Sequence, residues 1–295
     1  MARRPGASDE RADQGTGDPM EWFRSYMHGG TSSLVSTVTT IVTFPVYKTV
    51  FRQQLHSTTV RQAVIQLHKE GTLKLYRGVA PPLVVKTLHG TLLFGLQDTF
   101  LQQLSSSVGH HVPGSLLPAL AGLGTGVVEA LIFTPFERVQ NVLQNSGNDR
   151  SLPTIRSVLS RLGSEPLAKG FYRALMPILV RNALGNSLYF GLKNPMRTVL
   201  GEHGLYPGLS SFMSGVISSV VISLPLYPLS VLVANMQAQV GGETRSTLFV
   251  ARHIWESRQR SVSLLYRGGS LVILRSCITW GITTTIYDQL NRRNG

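Results

Sequence analysis

The sequence contains little charge. Asp, Glu, Lys and Arg together make up 15% of its 295 residues, whereas about 25% is typical of a soluble protein. The span 205–242 contains none of these four residue types, and about 20 such residues suffice for one helix to cross a bilayer. The composition therefore disfavours two ordinary soluble domains and favours an all-α membrane protein.

Cysteine and catalytic motifs are also scarce. The one cysteine, Cys277, excludes an intramolecular disulfide framework. The sequence has no nucleophile and base constellation, no Gly-rich phosphate loop and no cluster of metal ligands. We therefore predict no enzyme, no cofactor and no metal site.

Acidic residues are outnumbered by basic ones, 15 against 28, which gives a net charge of +13. In a membrane protein such an excess favours contact with acidic lipid head groups or anionic solutes. Nucleic acid is the other usual partner of a basic chain. The basic residues here are spread along the sequence without a recognition motif, so no nucleic-acid partner is predicted.

Charge-poor stretches at six places predict six membrane helices. They are rich in Ser, Thr and Gly, as expected of helices that pack on one another or line water. A buried helical core in a soluble protein is the alternative that the composition leaves open. The stretches cover residues 29–46, 79–97, 112–137, 174–192, 205–242 and 268–286.

Two markers recur three times along the chain. Pro45, Pro135 and Pro228 lie 90 and 93 residues apart, and in each copy a glutamine stands nine residues after the proline. A Tyr-Arg pair begins at positions 76, 172 and 266, which are 96 and 94 residues apart. Because two independent markers share one period, the sequence predicts three repeated units.

The period divides the chain into a disordered tail, 1–20, and three repeats, 21–106, 112–200 and 208–292. The tail resembles neither a secretory signal nor a mitochondrial presequence, so any targeting information is expected to be internal. Each repeat is predicted to hold a long helix kinked at its proline, a short amphipathic surface helix and a second long helix. The predicted long helices are 22–55, 80–104, 113–144, 175–200, 209–239 and 270–291, and the surface helices are 59–69, 152–162 and 246–255.

On these motifs the chain resembles the mitochondrial carrier family, solute carrier family 25, over nearly its whole length. Each repeat of that family has a proline, acid, base and glutamine motif on its first helix and an aromatic, basic and glycine segment before its second. The resemblance implies a threefold pseudosymmetric barrel of six tilted helices in the mitochondrial inner membrane, multi-pass and monomeric. It also implies one central solute site and alternating access.

Ionisable side chains in the middle of the predicted membrane helices are candidates for that site, because an unpaired charge in hydrocarbon is expensive. Arg181 and Arg275 stand nine residues after their marker tyrosines, and Lys86 stands ten after its own, in the register of Asn182. By resemblance, these four residues match the family's substrate contacts. Three basic groups suit an anion, since guanidinium groups bind phosphate oxygens in a bidentate manner. Neutralisation by a carboxylate or by backbone carbonyls is the alternative.

An acidic residue, Glu129, breaks the threefold symmetry, because the equivalent positions in the other repeats are Thr39 and Ile222. Three bases and one acid match a solute with several negative charges and one positive charge, such as oxidised nicotinamide adenine dinucleotide (NAD). Pairing of Glu129 with Arg181 or Arg275 is an equally open interpretation. Local sequences at 134–140, 177–182 and 188–192 resemble the NAD carrier branch of the family, although Ser230, Val233 and Asn235 in the third repeat depart from it. The substrate is thus predicted as a phosphate-bearing anion, NAD or a related nucleotide cofactor, with another small anion, such as a carboxylate, as the alternative.

The family closes each end of its barrel with ion pairs between repeats, and this chain has lost most of them. On the matrix side the resemblance pairs Tyr47 with Gln140 and Glu137 with Val233, so no complete ion pair is predicted there. On the cytosolic side Asp98, Arg197 and Asp288 remain, and only Asp98 with Arg197 can form a bridge. The glutamines that match the family's braces below the matrix gate are all present: Gln54, Gln144 and Gln237.

Weak gates favour easy interconversion of the two open states. A membrane scaffold or regulator that has lost transport is the alternative. The family also binds cardiolipin where backbone N–H groups at helix N-termini attract phosphate. The resemblance places that lipid at Arg77 with Gly78 and at Arg267 with Gly268, beside other inner-membrane lipids.

Overall fold

A computed structural model describes residues 19–108, 112–114, 116–202, 207–242 and 245–294. The predicted tail, 1–20, lies almost wholly outside this part of the chain, since the first helix begins at Pro19. The described residues form twelve α-helices: α1 (Pro19–His56), α2 (Val60–Glu70), α3 (Thr72–Leu75), α4 (Ala80–Val108), α5 (Leu117–Gln144), α6 (Ile155–Gly163), α7 (Leu175–Glu202), α8 (Pro207–Ser223), α9 (Tyr227–Ala238), α10 (Thr247–Ser257), α11 (Val262–Leu265) and α12 (Gly269–Asn294).

The long helices form a closed ring. Helix α1 packs against α4, α4 against α5, α5 against α7, α7 against α8, and α8 against α12, which returns to α1. The short helices α2, α6 and α10 each follow the first long helix of a repeat, and we call this side of the ring the short-helix end. The part of the chain that the structure describes is thus all-helical, as predicted.

The short helices begin at side-chain caps that the sequence supplies. The Thr59 hydroxyl accepts a hydrogen bond from the backbone N–H of Gln62, whose side chain returns to the backbone of Thr59. Thr154 and Ser157 form the same reciprocal cap before α6, and Ser246 caps α10. Caps of this kind satisfy N–H groups that a helix start otherwise leaves unpaired, so each surface helix has a defined first residue.

The prolines of the repeat act differently in the three units. Pro45 and Pro135 lie inside the continuous helices α1 and α5. In the third unit the predicted single helix over 209–239 is wrong, because the chain breaks after Ser223 and α9 continues with a bend of 65°. Pro225 and Pro228 stand three residues apart there, and two missing N–H donors with two ring clashes end a helix that one proline only bends.

Membrane crossing is only partly supported by length and apolarity. Helix α5 is long and apolar enough to span a bilayer, and the bent pair α8 and α9 would count as a second span, within the described residues. Helices α1, α4, α7 and α12 have 38, 29, 28 and 26 residues, which is sufficient length. Their Ser, Thr, Gly and ionisable residues lower the apolarity, so the predicted six-span arrangement is not confirmed.

Helices α5 and α7 pack at backbone distance through two glycines. A Cβ atom at Gly122 would lie 2.7 Å from the carbonyl oxygen of Asn186, and one at Gly126 would lie 2.4 Å from that of Asn182. Side chains at these positions would hold the two helices apart. The small residues therefore set the position of the α7 face that carries Arg181 and Asn182.

We expect Gly126→Ala to destabilise the protein by about 2 kcal/mol or more, because the added methyl group meets the backbone of Asn182 and Ala183, which cannot move aside independently. Gly95→Ala is the matched control, since a Cβ at that position in α4 meets nothing within 4 Å and alanine favours helix. Thermal unfolding of both purified variants checks this. Equal unfolding temperatures would contradict the close packing of α5 on α7.

Candidate functional site

A cavity occupies the middle of the ring. Its two overlapping parts have volumes of about 510 and 720 Å³, within the range of small-molecule sites in proteins. It extends from Leu93 on α4 and Tyr189 on α7 down to Asn141 on α5 and Tyr227 on α9. All five residues predicted to bind substrate line both parts: Lys86, Glu129, Arg181, Asn182 and Arg275.

Arg181 forms a bidentate ion pair with Glu137 across the cavity wall. Its two terminal nitrogens donate to the two carboxylate oxygens at 2.8 and 2.7 Å, and its Nε donates to Asn182 Oδ1 at 3.1 Å. Both side chains are about one fifth exposed. Glu137 was predicted as part of the matrix gate, opposite Val233. Val233 is buried and has no charge to offer, and the structure places the carboxylate in the cavity.

Glu129 is held by a histidine and an amide. His89 Nε2 lies 2.7 Å from Glu129 Oε1, and Asn186 Nδ2 donates to Oε2 at 2.5 Å. The two arginines that the sequence offered as partners are thus not the groups that hold it. His89 lies on α4, Glu129 on α5 and Asn186 on α7, so Glu129 connects three helices of the ring.

The other two cations in the cavity have no carboxylate partner among the described residues. The guanidinium of Arg275 lies over the ring of Tyr47, 5.4 Å from its centroid, a cation and aromatic contact that leaves its N–H donors accessible. Lys86 takes part in none of the described ion pairs and is exposed to the cavity. The described lining therefore carries three Lys and Arg side chains, one histidine and two carboxylates, and two of the cations have no carboxylate partner among the described residues.

Amide hydrogen bonds close the cavity towards the short-helix end. Asn141 Nδ2 donates to Gln237 Oε1 at 2.6 Å. Tyr47 and Gln140, two residues that the gate motif pairs, both line the cavity at this level. Of the other predicted braces, Gln54 also lines the cavity, and its backbone carbonyl accepts hydrogen bonds from Asn235 and Arg258. Gln144 is buried with its amide atoms unsatisfied within the described chain.

Beneath this floor, arginines join neighbouring repeats by donating to loop carbonyls. Arg77 contacts Asp149 and the carbonyl of Leu152. Arg173 donates to the carbonyls of Gln239 and Gly241, at 3.4 and 3.1 Å, and Arg267 to that of Ser57 at 2.5 Å. Each arginine belongs to one Tyr-Arg marker and reaches the loop after the first long helix of another repeat. Burial lowers the pKa of Arg77 and Arg173.

The residue after each of these arginines has a left-handed backbone. Gly78, Ala174 and Gly268 have φ of +87°, +70° and +103°, a region that favours glycine.

Two of the predicted lipid-binding positions, Arg77 and Arg267, use their side chains for contacts within the protein. A lipid there would meet the helix N-termini of α4 and α12, and the lipid site stays a prediction.

The predicted cytosolic gate is visible only in part. Asp98 is described, and its side chain is exposed on α4. The side chains of Arg197 and Asp288, with which it was grouped, lie outside the described residues. The gate therefore stays a prediction.

Two residues of the cavity were not found from the sequence. Neither His89 nor Asn186 was among the residues predicted to bind substrate, yet both contact Glu129. The signal that could have found both is helical spacing: His89 follows Lys86 by three residues, and Asn186 follows Asn182 by four, which puts each pair on one helix face.

Comparison with known proteins gives a family match and several similar relatives. The family model described as mitochondrial carrier protein matches residues 113–204 and 206–294. Solute carrier family 25 member 53 of Homo sapiens is 46% identical over 276 residues, which is 92% of this chain and 88% of that protein. The mitochondrial nicotinamide adenine dinucleotide transporters SLC25A51 of Mus musculus and SLC25A52 of Homo sapiens are 37% and 36% identical, each over 84% of this chain and 83% of their own length. The resemblance drawn from the sequence motifs is confirmed.

Proposed function

The chain belongs to the mitochondrial carrier family, and from that premise we propose that it carries NAD or a related nucleotide cofactor across the mitochondrial inner membrane. Transport proceeds by alternating access, with the solute held in the central cavity. The six spans are α1, α4, α5, α7, the bent pair α8 and α9, and α12. The short-helix end faces the matrix, cardiolipin surrounds the barrel as a lipid partner, and the chain acts as a monomer.

The observation that carries this proposal is the uneven charge pairing of the cavity. Arg275 and Lys86 have no carboxylate partner among the described residues, whereas Glu129 stands opposite, held by His89 and Asn186. A pyrophosphate offers oxygens to free guanidinium and ammonium donors. A cationic ring would place its positive charge near the carboxylate of Glu129. NAD combines both groups in one molecule.

The relatives support the same choice of solute. Two proteins named as NAD transporters align over most of this chain. More distant relatives are named for other solutes, among them a probable 2-oxodicarboxylate carrier of Dictyostelium discoideum at 24% identity. The share of identical residues therefore favours a nucleotide cofactor over a carboxylate.

A panel of metabolites measured by thermal shift on the purified protein tests the choice of solute. A ligand that binds only the folded state raises the unfolding temperature with concentration. We expect NAD to stabilise the protein more than ADP, nicotinamide mononucleotide, oxoglutarate or citrate at equal concentration. Stabilisation by a carboxylate alone would replace NAD by that solute. Stabilisation by no member of the panel would favour a scaffold that does not transport.

A further inference from the structure

The ion pair between Arg181 and Glu137 neutralises one cavity arginine and uses the bidentate edge formed by its two terminal nitrogens. All three nitrogens of the guanidinium are engaged, two by the carboxylate of Glu137 and one by Asn182. Arg275, by contrast, lies over the face of Tyr47 and has no carboxylate partner among the described residues. The cavity therefore presents one arginine without a carboxylate partner and one that is already neutralised.

We propose that Glu137 is an internal counter-anion, which the anionic group of the solute must displace from Arg181. The proposal rests on the proposed function in one respect, which is that the solute bound in the cavity is an anion. Glu137 lies on α5 and Arg181 on α7, and both line the two parts of the cavity. A solute that reaches Arg181 therefore finds the carboxylate of Glu137 already bound to it in bidentate geometry.

Displacement makes the pair a determinant of specificity. A group that replaces a bidentate carboxylate must offer two oxygens and a full negative charge, as a phosphate or pyrophosphate does. A hydroxyl or neutral amide cannot replace it, because Glu137 would be left in the cavity without its cation. The pair therefore selects against uncharged solutes, which the free Arg275 and Lys86 do not by themselves exclude.

No cation stands at the position on α9 that the gate motif sets opposite Glu137. That position is Val233, which is 1% exposed. Tyr47 and Gln140, which line the cavity beside Glu137, carry no positive charge. While the solute holds Arg275 and Lys86, a released Glu137 is therefore less stable than a paired one, and this difference weakens the binding of the anion.

Inorganic pyrophosphate is the probe that tests the counter-anion without any role for a cationic ring. We expect Glu137→Gln to tighten pyrophosphate binding about tenfold or more, because a charge-assisted bidentate contact no longer competes for Arg181. The affinity is measured by thermal shift over a pyrophosphate titration. Glu129→Gln is the matched control. It removes the other carboxylate of the same cavity, which is held by His89 and Asn186 instead of an arginine.

The outcomes separate the proposals. A gain in Glu137→Gln much larger than that in Glu129→Gln supports the counter-anion. Equal gains in the two variants would mean that Glu137 acts only through the electrostatic field of the cavity, and would overturn the proposal. No gain, weaker binding or no binding in Glu137→Gln would overturn it as well. If Glu137→Gln does not fold, Glu137→Asp, with a shorter reach to Arg181, is expected to show a smaller gain and is judged by the same comparison. NAD titrated in parallel tests the proposed solute separately, since NAD can fail to bind while pyrophosphate behaves as expected.

Discussion

Replacing Arg275 with alanine is expected to lower NAD affinity by about a hundredfold or more and to abolish transport. Arg275 projects from α12 over the ring of Tyr47 and has no carboxylate partner among the described residues. Its donors are therefore available to the pyrophosphate without displacing any internal group. Truncating one partner of a desolvated, charge-assisted pair costs about 2 to 5 kcal/mol, and each 1.4 kcal/mol or so is a factor of ten.

The control for this variant is Arg260→Ala, which removes an exposed arginine between α10 and α11, outside the cavity. Arg275→Lys is expected to retain part of the affinity, because an ammonium keeps the charge but loses the bidentate fork. Binding is measured by equilibrium titration on protein of verified unfolding temperature. Undiminished NAD affinity in Arg275→Ala would show that the solute does not use the central cavity as described.

The largest effect on stability is expected from Arg138→Met. Arg138 is fully buried, and its guanidinium donates to the carbonyls of Gly170 and Gln239, at 3.0 and 2.7 Å, and to that of Gln237. Removing it takes this donor from the buried carbonyls of Gly170 and Gln237, leaves that of Gln239 only the longer hydrogen bond from Arg173, and weakens the contact between the second repeat and the third. Because hydrogen bonds to charged groups contribute about 1.5 to 3 kcal/mol each, we expect a loss of about 3 kcal/mol, or roughly 6 to 12 °C in Tm.

The matched variant is Arg61→Met on α2, which has the same change of side chain at an exposed position. We expect its Tm to stay within about 2 °C of the unchanged protein, since exposed substitutions are usually small in effect. Both variants are compared by thermal unfolding in the same detergent. A similar, small shift in the two would mean that Arg138 does not hold the repeats together.

The sequence was sufficient to predict the helices of the fold. Charge-poor stretches predicted long helices, which the structure places in a closed ring. The period of three units comes from comparing the chain with itself, and Thr59, Thr154 and Ser246 cap the starts of the surface helices. Such signals lie in single positions or short stretches, so one sequence is enough to recognise them.

The break after Ser223 was within reach of the sequence but was missed. The repeat drew attention to Pro228 alone, because it has counterparts at Pro45 and Pro135. Pro225 has no counterpart in that register. An argument from repeat symmetry overlooks a helix breaker that is present in only one copy of the repeat.

The pairing of charges inside the cavity could not be predicted from the sequence. Lys86, Arg181, Arg275 and Glu129 follow from register, and the structure brings them to one cavity. Which carboxylate meets which base depends on the rotation of each helix and on the close approach of α5 to α7 at Gly126. Motif pairing assigned Glu137 to a gate, whereas the structure places it on Arg181.

The contacts beneath the cavity change what the missing gate ion pairs imply about function. Hydrogen bonds from Arg77, Arg138, Arg173 and Arg267 to loop segments of other repeats join the units at the short-helix end. A backbone carbonyl accepts these hydrogen bonds without carrying a charge, so the contacts do not require an acidic side chain in the other repeat. The short-helix end can therefore be closed without the ion pairs that the motif lacks, and weak motifs do not by themselves imply a scaffold.

The most direct test of transport is uptake of labelled NAD into cardiolipin-containing liposomes that hold the purified protein, with Arg275→Ala protein of equal Tm measured alongside. The proposed mechanism predicts saturable uptake by the unchanged protein, competition by unlabelled NAD and no uptake above empty liposomes for the variant. Equal uptake by the two proteins, or none by a folded protein to which NAD binds, would contradict a carrier that works through this cavity.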